Sequence, residues 1–94
     1  MAKNIIDISG TCTSGATAQS ISTRNGRTFF IFQNVSDTAM YLNFGATATA
    51  DHLYIAPNGG FFGLSSGDPV PDGIISMLCA TTGKKFWAKE ICNP

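Results

Sequence analysis

Charge is scarce in this chain. Lys, Arg, Asp and Glu make up 13 % of the 94 residues, about half the ~25 % usual in soluble domains, and they cancel to a formal net charge of zero. Binding to a phosphate backbone needs clustered Lys and Arg, and only Lys84 and Lys85 are adjacent, so no direct nucleic-acid partner is expected. The segments between apolar runs are filled with Ser, Thr, Ala and Gly. Surfaces of that kind can be packed against a neighbour without stripping water from ions.

Groups that carry catalysis are equally sparse. The one histidine, His52, stands beside Asp51 with no ligand at a recognised metal spacing, and reads as a loop residue. Gly83-Lys84 lacks both the leading glycine and the trailing Ser or Thr of a phosphate loop. Nothing local supports a Ser-His-Asp or Cys-His arrangement, whose members would meet only in space. The expectation is a protein that is not an enzyme and needs no cofactor or metal. Long apolar runs are missing too: Met1-Ala-Lys-Asn-Ile-Ile-Asp7 is short for a signal peptide and no stretch approaches a membrane span. Use without secretion and without a membrane partner follows as an expectation, and the glycosylation sequon Asn34-Val35-Ser36 is then incidental. Cys12, Cys79 and Cys92, odd in number and widely spaced, fit reduced thiols better than a disulfide framework. Helical periodicity is absent from every window.

What is present is strand pattern. Arg27-Thr-Phe-Phe-Ile-Phe-Gln-Asn34 places Phe30 and Phe32 on one side and Phe29 and Ile31 on the other, so it is apolar on both faces. A small sandwich has one core, and the second face must be covered by another element or another chain. Met40-Tyr-Leu-Asn-Phe-Gly45 alternates, with Met40, Leu42 and Phe44 inward. Further strands are expected at Leu53–Ala56, Phe61–Leu64, Ile74–Ala80 and Lys85–Ile91, separated by turn signals about every ten residues. This predicts an all-β chain: a small antiparallel β-sandwich, immunoglobulin-like or jelly-roll-like, of six or seven strands.

Asn25-Gly26 between two β-rich runs predicts a type I′ hairpin. Its register would set Arg24 opposite Arg27, Ser22 opposite Phe29 and Ile21 opposite Phe30. The facing arginines then either splay into water or meet carboxylates or carbonyls on another subunit. Residues 1–16 hold Ile5, Ile6 and Ile8 ahead of a loose Ser/Thr/Gly run and read as an N-terminal arm on a sandwich of residues 17–94. That arm is either a frayed terminus or an apolar strand that docks on a neighbouring subunit. The candidate interface is therefore Ile5, Ile6, Ile8, Arg24, Arg27, Phe29 and Ile31. Trp87, Tyr41 and Tyr54 could stack on a sugar ring, or serve core or interface packing.

The order of motifs adds a resemblance. Phe32-Gln-Asn-Val-Ser-Asp37, Met40-Tyr-Leu-Asn-Phe-Gly45 followed by Ala-Thr-Ala-Thr, Pro57-Asn-Gly-Gly60, Val70-Pro-Asp-Gly73-Ile and Ala80-Thr-Thr-Gly83 before a last strand resemble small bacteriophage structural proteins over roughly residues 20 to 90. Pro57-Asn-Gly-Gly60 departs from the tighter Pro-Gly-Gly of that pattern. The resemblance implies a virion component assembled in the host cytoplasm, similar to capsid cement or decoration proteins. Its partners would be itself, as a homo-oligomer such as a trimer, and the major capsid protein or another virion protein. A tail, adaptor or fibre subunit is the alternative within that class, and a carbohydrate-binding module the alternative outside it.

Overall fold

The computed structural model describes residues 4–65 and 69–92. The strands are β1 (Asn4–Asp7), β2 (Gly10–Thr11), β3 (Gln19–Ser22), β4 (Arg27–Asn34), β5 (Met40–Phe44), β6 (Leu53–Ile55), β7 (Phe61–Leu64), β8 (Ile75–Cys79) and β9 (Lys85–Cys92). One sheet, sheet A, runs β1-β9-β4-β7 with β2 also on β9; the other, sheet B, runs β3-β8-β5-β6. The pairing is nested: β1 and β2 lie on β9, β3 on β8, β4 on β7 and β5 on β6, all antiparallel. A long hairpin folded over on itself in this way has jelly-roll strand order, the second of the two sandwich types that the strand pattern left open.

Alternation decides the packing. In β4, Phe30 and Phe32 are fully buried, and in β9 so is Ala88, with Phe86 nearly so. Met40 and Leu42 of β5, Ile55 of β6, and Ile75, Met77 and Cys79 of β8 meet them from the other sheet. Phe32 stacks on Phe86 at 5.2 Å between ring centroids, and Phe30 meets Phe44 edge-on at 6.0 Å. Fully burying such side chains contributes on the order of 1.5–3 kcal/mol each before chain entropy is subtracted.

Two expectations are corrected. First, Asn25-Gly26 does not close a hairpin. Only Gly26 of the pair has positive φ (74°), whereas a type I′ turn needs it at both residues. The chain crosses here between the sheets, β3 pairing β8 and β4 pairing β9. Ser22 accordingly faces Ile75 rather than Phe29. The crossing is held by the Gly26 N–H on Asp72 Oδ1 at 2.8 Å and the Gly73 N–H on the Arg24 carbonyl at 2.9 Å. A dipeptide signal reports local twist only, and these longer-range bonds override it.

Second, residues 4–12 belong to the sandwich. β1 and β2 hold one register along β9, from Asn4 opposite Cys92 to Gly10 opposite Phe86 with no residue gained or lost between them. The break at Ser9 arises because its hydroxyl, not a backbone carbonyl, accepts from the Ala88 N–H at 2.9 Å. Cys12 then enters the core, 1 % exposed. What reads as an arm is an edge strand.

Candidate functional site

The two sheets differ in how their outer faces are treated. On sheet B the loop after β5 folds back, Ala48 donating its N–H to Ser76 Oγ at 3.0 Å, and both residues are buried. That covers Ser76 of β8, while Leu78 further along the strand stays half-buried beside Tyr41. No described segment does the same for sheet A.

The outer face of sheet A is built in three rows across the strands. Ile5, Ile91 and Phe29 form the first; Asp7, Lys89, Ile31 and Gly63 the second; Trp87, Gln33 and Phe61 the third. Ile5 and Phe61 are 69 % and 71 % exposed and Trp87 39 %. Two mainly apolar rows thus flank a row that carries the Asp7–Lys89 pair, and the exposed Ile5, Phe61 and Trp87 lie together on one side of the sandwich rather than scattered over it. Its charges are mostly neutralised within the chain. Lys89 pairs with Asp7 at 3.2 Å and lies 5.8 Å from the Trp87 ring centre; Lys84 pairs with Asp37 at 2.7 Å. Hydrogen bonds from Ser9, then Lys89, lower the Asp7 pKa to about 2, and Lys84 holds Asp37 below its ordinary range. At one end of the face a groove of about 580 Å³ opens among Thr11, Gln33, Val35, Lys85, Phe86 and Trp87.

Of the residues expected at an interface, Phe29, Ile31 and Ile5 share this face. Ile6 lies opposite Glu90 on the inward side of β1, and Ile8 packs against the core. Arg24 and Arg27 are neither opposed to each other nor splayed: both bind Glu90. Arg27 Nε reaches Glu90 Oε1 at 2.7 Å and Arg24 Nη1 reaches Oε2 at 2.8 Å. The Ser22 hydroxyl donates to the same carboxylate at 2.8 Å and accepts from Arg27 Nη2 at 2.9 Å. Arg27 also donates to the Pro71 and Gly73 carbonyls, tying the 71–73 loop to the end of the sandwich. Burial pushes the Glu90 pKa up, but hydrogen bonds from Arg27, Ser22 and Arg24 outweigh it and hold the carboxyl below its ordinary range. The expected carboxylate partner exists, in the same chain.

Sequence reasoning missed Ile91, Trp87 and Phe61 as neighbours of Phe29 and Ile31. Alternation in 85–91 gives the outward parity of Trp87 and Ile91, but only strand register brings them beside β4. Tyr41 and Tyr54 pair edge-on at 5.7 Å in sheet B, the sheet opposite to Trp87's, so the three rings form no common sugar platform. Among the described residues no group of three His, Cys, Asp or Glu side chains could hold a metal ion. Burial raises the pKa of the Cys12 and Cys92 thiols, the reverse of what a nucleophile needs. The arrangement is suited to apolar contact. The sequence matches no protein-family model, and the chain has no match among curated proteins or solved structures.

Proposed function

We propose that this protein acts by binding rather than by catalysis, as a capsid decoration or cement protein of a bacteriophage that seats sheet A across junctions between major capsid subunits. The observation that carries the reading is the outer face of sheet A, left open by the described residues and bearing exposed Ile5, Phe61 and Trp87, in a chain of few charges among which Asp7, Lys89, Arg24, Arg27 and Glu90 are ion-paired internally. The motif order and the jelly-roll strand order support it. The mechanism is mass action: a subunit that binds only the assembled shell stabilises it, and each docked copy covers apolar area that dissociation must re-expose. The site of action is the virion, assembled in the host cytoplasm.

The test is to add the purified chain to undecorated shells and count copies per particle by imaging. Hundreds of copies with raised shell melting temperature support decoration. A few copies at one vertex assign a tail, adaptor or fibre role instead, and an absence of particle binding sinks both. Trp87 beside its groove favours a second reading, glycan binding, which a glycan array with Trp87→Ala as control would test. Against that reading, Gln33 Nε2 is already committed to the Gly59 carbonyl, leaving fewer free groups for sugar hydroxyls.

A further inference from the structure

The sheet edges are not equally protected. An open edge offers unpaired N–H and C=O groups to another chain, and natural sheets blunt it with charge, bulges, side-chain caps or brevity. On β1 and β2, Asp7 Oδ1 caps the Ser9 N–H at 2.9 Å and Gln19 Nε2 caps the Thr11 carbonyl at 3.0 Å. The β3 edge is bulged at Ile21. β6 is three residues long, and its Ile55 carbonyl accepts from Asn34 Nδ2.

β7, four residues long, carries no side-chain cap among the described residues. Phe61-Phe-Gly-Leu64 has no charge, proline or bulge. The Asn34 N–H donates to the Gly60 carbonyl at 2.8 Å, which by ladder parity aims the backbone groups of Phe62 and Leu64 at β4 and those of Phe61 and Gly63 away from it. No described residue takes up those outward groups of Phe61 and Gly63.

We infer that β7 is the pairing edge for a second copy of this chain, joined antiparallel about a two-fold axis at Phe62. Phe61 of each copy then lies opposite Gly63 of the other, so the outward groups of both residues are paired across the axis. The side-chain fit follows the same register. Gly63 leaves an open spot on the outer face beside Ile31, where an added Cβ would sit 3.7 Å from Ile31 Cγ1. The 71 % exposed Phe61 ring of the facing copy covers that spot, the arrangement by which aromatics compensate for glycine in paired strands. A head-to-tail ring would have to seat β7 on the β1–β2 edge, where Asp7 brings charge and the Ser9 N–H and Thr11 carbonyl are already taken up by side chains, whereas β7 is complementary to itself. The pairing is therefore isologous, a dimer rather than the trimer implied by the resemblance. It extends sheet A, and with it the apolar outer face, across two chains. This inference rests on edge geometry and stands apart from the shell reading, since it concerns the isolated chain.

The experiment is sedimentation of the purified protein from 1 to roughly 100 micromolar, with amide hydrogen exchange at both ends of that range. Expected are a concentration-dependent dimer and Phe61 and Gly63 amides whose protection rises at least tenfold with dimerisation. Phe61→Lys, a change at an exposed side chain that brings like charges together across the axis, should yield a monomer with an unaltered circular dichroism spectrum and a melting temperature that matches the wild type at low concentration but, unlike the wild type's, does not rise with concentration. A wild-type monomer with freely exchanging amides at Phe61 and Gly63 overturns the proposal. So does a dimer or trimer that Phe61→Lys leaves intact, or protection of these amides that arises only when shells are added, which would assign the edge to a foreign strand.

Discussion

Glu90 is the costliest residue in the sandwich to place, because its carboxylate has no solvent contact and depends on Arg27, Arg24 and Ser22. Breaking a buried ion pair on one side costs about 3–5 kcal/mol, so Glu90→Gln should lower the melting temperature far more than a surface change. The double variant Arg27→Met/Glu90→Leu should recover much of that loss, and a double variant no more stable than Glu90→Gln would show that shape rather than charge holds the site. The pH dependence follows from the direction of the shift. Because the folded pKa lies below the ordinary 4.5, the stability contributed by Glu90 is complete above that value and is lost as pH falls through the lower folded pKa. Thermal melts between pH 7 and 2 should show that decline, flattened in Glu90→Gln. Arg24 is 48 % exposed, so Arg24→Ser should cost only about 1 kcal/mol by chemical denaturation. The need of the two arginines for an acceptor is legible in the sequence. Its identity is not, since Glu90 is some 65 residues away and only register brings it near.

At the level of elements, strand positions from Arg27 onward read well because alternation is local: β4, β5, β6, β7 and β9 fall where their apolar periods place them. Pairing partners read poorly. Asn25-Gly26 carries the signal of a hairpin, and Ile5, Ile6 and Ile8 sit among too many small polar residues to stand out as a strand. Their role becomes visible only from β9, whose edge they cover. Removing residues 1–12 should therefore unfold the protein or cost several kcal/mol, measured by urea titration, because β9 loses a ladder and the core loses Cys12. A fully stable truncated chain would return those residues to the status of an arm. Ile5→Ser tests the outer face separately. At 69 % exposed it should shift stability by no more than about 0.5 kcal/mol yet weaken attachment to shells, read as copies retained per particle after dilution.

Over the whole molecule, the all-β class and the sandwich are legible in the pattern, while the order of strands is a property of long-range pairing that no window contains. Nested pairing makes almost every ladder non-local, since β1 meets β9 and β3 meets β8. Loop closure precedes reward in such a chain, so stopped-flow refolding should be slow, on the order of milliseconds to seconds. The same nesting leaves Asn4 directly across from Cys92. A few added residues could bridge that gap, and the chain could then be reopened in the exposed stretch around Ala50 and Asp51, where β5 and β6 are joined. Such a rearranged gene would turn the tightest hairpin into the outermost pair and the outermost pair into a tight hairpin. It offers a display scaffold whose new ends emerge between two strands of sheet B, the sheet opposite to that of Ile5, Phe61 and Trp87.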